Sequence, residues 1–178
     1  MNHADFTKQL TEGRRTFPGI DLSGADLHGA RLIGVDLSGA KLRRANLNGA
    51  ILIGARLHGA DLIGAQMAGA DLTGADLHAA RLSGANLTAS ILIGADLHGT
   101  DLHRTDLHET DLTEADLEGA DLHGTDLHGA DVMADLLHAD LRGADLRGAN
   151  LIGAILTNAR LNGAQWQGAT MPDGTRHA

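Results

Sequence analysis

The chain has 178 residues, 43% of them hydrophobic but only 2% aromatic, and a formal net charge of −9 with neither cysteine nor tyrosine. That length suits one domain, the missing cysteine excludes a disulfide framework and thiol chemistry, and so few rings argue against an ordinary globular core. No run approaches 18 consecutive apolar residues, so no membrane-spanning helix is expected.

The opening MNHADFTKQLTEG has no apolar stretch of the secretory kind, so a soluble cytoplasmic protein is expected. Residues 1–16 read as an N-terminal cap. Asp5 to Glu12 can form a short helix, with Asp5 as N-cap, Phe6 and Leu10 on one face, and Gly13 as the stop. Its expected role is to lid the repeat that follows, because an exposed solenoid end templates aggregation. Phe17 fits a degenerate first unit, with Pro18-Gly19 as its turn.

From residue 17 to residue 171 a five-residue unit recurs, and this span reads as one domain. The central residue, here i, is Leu22, Leu27, Leu32 and onward to Val132, then Leu136 onward to Met171. Position i−2 is mostly Ala, i−1 mostly Asp, Asn or Arg, and i+2 mostly Gly. A helix does not explain this period, since five steps of about 100° scatter the leucines around the axis. A continuous strand fails too, because an odd repeat sends alternate leucines to opposite faces. A short extended segment that turns a corner after each unit does fit. It points i−2 and i inward and i−1 outward, and leaves the bend to i+1 and a permissive Gly at i+2. Turns of one hand then wind an all-β coil whose layers stack at about 4.8 Å.

The unit A-D/N-L-x-G, as in Ala25-Asp26-Leu27-His28-Gly29 and Ala70-Asp71-Leu72-Thr73-Gly74, resembles the pentapeptide repeat family. The resemblance covers about 150 residues. It implies a right-handed quadrilateral parallel β-helix (a β-solenoid) with four units per coil, so about eight coils and a rod of roughly 35–40 Å. Outer Ile and His residues recurring at multiples of 20 support that coil length.

Outward positions from Ile20 to Ser90 mix both charges, and Lys41 is expected between Asp21 and Asp61. On one side of the coil the outward residues turn apolar: Ile33, Ile51, Ile53, Ile91, Ile93, Met133 and Ile152. They can be a β-branched ladder that stabilises the coil, or a contact surface for a partner or a second copy.

Then comes an acidic belt in which every i−1 position is aspartate: Asp96, Asp101, Asp106, Asp111, Asp116, Asp121, Asp126, Asp131, Asp135, Asp140 and Asp145. With three Glu, and with Arg104 and Arg142 opposing, the belt carries −12 and the remainder +3. Like charges about 5 Å apart in water repel by roughly 0.8 kcal/mol. Asp can be the default residue of the unit here, an acidic surface for a basic partner, or part of a divalent-cation site. His103 should lie over His123 and His108 over His128, a weak metal signal without cysteine or a closed four-ligand motif. Inward Thr100, Thr105, Thr110 and Thr125 need hydroxyl partners, and a neighbouring backbone carbonyl is expected to accept.

At Val132-Met133-Ala134-Asp135-Leu136 one residue is missing, which predicts a tightened corner. Trp166 and Met171 are expected to close the last coil, and residues 172–178 form a tail. MPDGT resembles the usual family ending.

No nucleophile–base signature or phosphate-binding loop is present, so no catalytic residue, metal or cofactor is expected and an enzyme is not. The acidic balance argues against direct nucleic-acid binding. The expected role is a scaffold for a protein partner of unknown identity, as monomer or homodimer. The alternative comes from the resemblance: some family members bind DNA gyrase through an acidic rod that mimics duplex DNA, and form end-to-end dimers. Those members often carry Phe where this chain has Leu.

Overall fold

The computed structural model describes residues 3–178. The five backbone N–H groups of a unit account for its shape. In the unit around Leu52, the Ile51 N–H donates back to Ala30 O at 2.9 Å, while Leu52 and Gly54 donate forward to Asp71 O and Thr73 O at 2.7 and 2.9 Å. A fourth donor, Ala55 N–H, closes the corner onto Leu52 O at 2.9 Å. The fifth, at i+1, has no backbone acceptor and is where the side chain at i−1 matters.

Units along the middle of the rod repeat this scheme, and parallel bridges join residues 20 apart in four columns. Four units therefore make one coil with four faces. The first face carries Leu22, Leu42 and their successors; the second follows Leu27, the third Leu32 and the fourth Leu37. Leu at i and Ala at i−2 fill the interior, most at 0–1% exposure. Corners need a left-handed residue at i+2: Gly59 has φ +61°, and even Arg104, Glu109 and Glu114 are held at φ 54°, 56° and 60°.

Pairs that span residues 132–135, such as Asp116 with Asp135 and Asp131 with Asn150, are 19 apart; from Asp135 with Ile155 the spacing is 20 again. The missing residue is the i+2 corner residue. Ala134 moves directly into the inward i−2 place at 5% exposure. Among the described residues, no turn bond closes onto the Val132 carbonyl.

The N-terminal helix α1 spans His3–Thr11, starting two residues before the sequence expectation. Asp5 sits in its first turn, not at its cap, where a carboxylate still complements the helix dipole. Gly13, at φ 96°, ends it: Gly13 N–H bonds Leu10 O and Arg14 N–H bonds Gln9 O, the paired bonds of a Schellman stop. Phe6 is fully buried, with its ring 4.7 Å from Phe17 at 67°. At the other end Trp166 and Met171 stay half-buried. The closing role falls to residues 172–178, which fold back so that Thr170 bridges Arg176 antiparallel and His177 N–H bonds Ala169 O. No helix among the described residues is long and apolar enough to cross a membrane.

Candidate functional site

The four buried threonines find the acceptors expected of them. Thr100, Thr105, Thr110 and Thr125 each donate to the carbonyl 23 residues earlier, at 2.8–3.0 Å. These carbonyls also take a turn N–H, so the threonines tie neighbouring coils without exposing a functional group.

The acidic belt has a local cause. Ten of its eleven aspartates accept the otherwise unserved N–H at i+1 through Oδ1, as Asp101 does from His103 at 3.1 Å and Asp121 from His123 at 2.9 Å. This is an Asx turn, which aspartate and asparagine form equally well. Asp131, whose corner is shortened, instead accepts the Asn150 side chain at 2.9 Å. The second carboxylate oxygen is left for solvent, counter-charge or partner. Asp101, Asp121 and Asp140 do stack, as do Asp106, Asp126 and Asp145.

The two functions of these carboxylates can be separated. Asp121→Asn keeps the turn acceptor and removes charge between Asp101 and Asp140, so urea unfolding should show unchanged or slightly higher stability. Asp121→Ala loses the acceptor and should cost about 1 kcal/mol.

Arginines blunt the belt at its C-terminal edge. Arg142 grips Asp140 with Nε and Nη2 at 2.7–3.0 Å, Arg147 grips Asp145 at 2.6–3.0 Å, and Arg160 reaches Asp140 at 3.1 Å. Both carboxyls are thereby held below the usual carboxylate range, chiefly by the arginine hydrogen bond and against the opposing effect of burial. A depressed folded-state pKa adds stability above the unfolded value, lost as pH falls through the folded one. Arg142→Ala and Arg147→Ala should therefore move acid unfolding, followed by circular dichroism below pH 4, to higher pH. Further up the rod, Lys41 pairs with Asp21 at 3.9 Å, but Asp61 is taken by Arg43 at 2.6 Å and Arg81 at 3.5 Å.

His103 lies over His123 and His108 over His128, rings near-parallel and 5.2 Å apart. Equivalent nitrogens in such a stack lie farther apart than the about 4.2 Å that two Zn–N bonds span. His58, His78 and His98 form a similar stack at 5.1 Å. A different set comes together above it: one donor atom each from His98, Asp116 and Glu118 lie within 4.8 Å of one another. Spacing along the chain does not reveal this set, because Glu118 lies a full coil beyond His98.

The third face differs from the others. Its i+1 column reads Ile33, Ile53, Thr73, Ile93, Thr113, Met133, Ile152, Pro172, without one ionisable group from the first coil to the last. The other three i+1 columns all contain His, Arg or Glu. Ile33, Ile53, Ile91 and Ile152 are 38–48% exposed, while Ile51, Ile93 and Met133 are half-buried against their column neighbours. Ile155, across the corner on the fourth face, is 48% exposed and was not singled out from sequence, because aspartates precede it in its column.

Comparison with known proteins agrees with this architecture. The family model for pentapeptide repeats matches in 8 copies over residues 16–44, 40–78, 80–119, 101–133 and 134–171. HetL, a pentapeptide repeat protein involved in heterocyst differentiation regulation in the cyanobacterium Nostoc sp. strain PCC 7120, is 33% identical, with a TM-score of 0.55 over 99% of this chain and 100% of HetL. Trypsin-treated QnrB1, a plasmid-mediated fluoroquinolone resistance protein, is 26% identical, with a TM-score of 0.52 over 84% of this chain and 79% of QnrB1. No curated protein matches the sequence. With the repeat signature, the bridged coils and these matches in agreement, the chain belongs to the pentapeptide repeat family.

Proposed function

We propose that the chain is a cytoplasmic, non-enzymatic scaffold that binds a protein partner through its third face, and that its coil has the right-handed, four-sided form the family resemblance implies. The observation that carries the reading is the uncharged i+1 column. A chain with 21% charged residues leaves eight successive outward positions on one face without a charge. A ladder role alone calls for β-branched residues, but the column also admits Met133 and Pro172. Contiguous exposed apolar surface on a soluble protein marks contact sites. The experiment is a pull-down from the native cell with the wild-type chain, the Ile53→Asp/Ile93→Asp variant and a Thr157→Asp control on the fourth face. Loss of captured protein with the isoleucine variant alone supports the reading; equal capture by all three overturns it.

The belt supports a second reading, mimicry of duplex DNA toward a gyrase-type topoisomerase. Its −12 falls within 50 residues, two and a half coils or about 12 Å of rod. That is at least the axial charge density of duplex DNA, about one charge per 1.7 Å. The likeness to a fluoroquinolone resistance protein points the same way. Against it, Asp140 and Asp145 are engaged by arginines and the first coils are mixed in charge. A gyrase supercoiling assay decides. An effect abolished by Asp→Lys at Asp101, Asp106, Asp121 and Asp126 supports mimicry; no effect, or one that survives the changes, removes it.

A further inference from the structure

We propose that the partner seated on the third face is a second copy of this chain, laid side by side and antiparallel. The inference rests on the contact-face reading above and adds its occupant, orientation and register.

Charge sets the orientation. Residues 14–95 carry eight Lys or Arg against six Asp and no Glu, a net +2, whereas residues 96–145 carry −12. Parallel rods place belt on belt, while antiparallel rods place each belt against the partner's mildly positive half. Complementary potentials of this kind fix register and exclude wrong pairings.

Symmetry points the same way. Two rods related by a twofold axis across the face bring each column against its own counterpart. The uncharged i+1 column then meets itself, and i−1 meets i−1. In the parallel arrangement, i−1 would meet i+1, setting Arg31, Asp71, Asp111 and Asp131 against the apolar column.

The i−1 column of this face sets the register. It runs Arg31, Ile51, Asp71, Ile91, Asp111, Asp131, Asn150, Thr170 along eight coils. Pairing the first coil with the sixth, the second with the fifth and the third with the fourth gives Arg31 opposite Asp131, Ile51 opposite Asp111, and Asp71 opposite Ile91. No like charges meet, and each dimer gains two ion pairs. Matching the first coil with the eighth sets Asp71 against Asp131. Matching it with the seventh sets Asp71 against Asp111, and with the fifth sets Asp71 against itself. The six-coil overlap is the longest free of such clashes. In it the i+1 column pairs Ile33 with Met133, Ile53 with Thr113, and Thr73 with Ile93.

The overlap is a flat strip of about 29 Å by 13 Å, roughly 380 Å² per partner, below the range of stable specific interfaces and within that of weak, transient ones. Association should therefore be weak, half complete at about 10–100 µM chain.

Sedimentation equilibrium on the full chain tests the pairing, with circular dichroism confirming that each variant is folded. Arg31 is exposed, and Asp131 serves no i+1 turn N–H and accepts only the Asn150 side chain, so neither change removes a backbone bond of the coil. Wild type should rise with concentration from 18.5 kDa toward twice that mass. Arg31→Asp and Asp131→Arg should each weaken association about tenfold, since either change sets two like-charged pairs face to face. The double reversal Arg31→Asp/Asp131→Arg should restore it to within about threefold of wild type. A chain that stays at 18.5 kDa up to about 0.5 mM overturns the proposal. So does a double reversal as weak as the singles, or association that neither single change alters, which would place the contact at the rod ends. A monomeric chain whose partner capture is still lost with Ile53→Asp/Ile93→Asp would sink this pairing and leave the scaffold reading standing.

Discussion

Replacing Leu107 by alanine is expected to lower the unfolding free energy by about 2–5 kcal/mol, toward the upper end of that range. Leu107 is 1% exposed and sits mid-rod in the second-face column between Leu87 and Leu127. The backbone around it cannot close over the lost atoms. Its N–H is fixed to Asp126 O at 2.8 Å, and its carbonyl receives Thr110 N–H at 3.1 Å. A cavity that cannot collapse keeps its full cost. Each coil also touches only its neighbours, so a weak central coil separates the two halves and should broaden or split the transition. Leu156→Ala, at the half-buried end of the penultimate coil, should cost less than half as much with a sharp transition. Urea unfolding followed by circular dichroism distinguishes the two; equal costs would contradict the packing described for the core.

Phe6→Ala carries the second large effect, of a different kind. Phe6 is fully buried, edge-on to Phe17, and the guanidinium carbon of Arg14 lies 4.9 Å from the Phe17 ring centre. Removing the ring should cost about 3–5 kcal/mol, most of it by undocking α1. The first coil has no preceding coil to satisfy its backbone edge, and an uncovered edge of this type recruits other chains. Hydrogen exchange should speed up at amides of residues 17–37 while the middle coils keep their protection, and light scattering should rise on standing. Uniformly faster exchange along the rod would show that α1 holds more than the end.

The five-residue period was enough to place nearly every buried side chain. Leu at i and Ala at i−2 can hide only if the chain bends at each unit, and Gly at i+2 marks where. The threonine acceptors followed from the same geometry, since an inward hydroxyl reaches nothing but backbone. The role of Asp at i−1 was written in the sequence but not read from it. Its alternation with asparagine, as at Asp26, Asn46 and Asn86, signals a side chain that accepts a turn N–H, as Asp26 and Asn86 do from His28 and Thr88. Other features depended on rotamers that spacing does not fix. Arg142 and Arg147 fold onto their own units' aspartates, and Asp61 takes Arg43 in preference to Lys41. The tail that covers the last coil has no repeat signature, and Thr170 meeting Arg176 antiparallel follows from the local Asp173–Thr175 turn.

All of these columns, and every surface drawn from them, require coils of 20 residues that shorten to 19 once, between Val132 and Asp135. The chain has no cysteine, so spin labels can be placed cleanly by Ser38→Cys/Thr157→Cys. These residues lie six coils apart in one column of the fourth face. Electron–electron double resonance on the labelled chain, diluted with unlabelled chain, should give one narrow distance near 29 Å, six layers of about 4.8 Å. A broad distribution, or a separation below about 20 Å, would contradict the stacked coil.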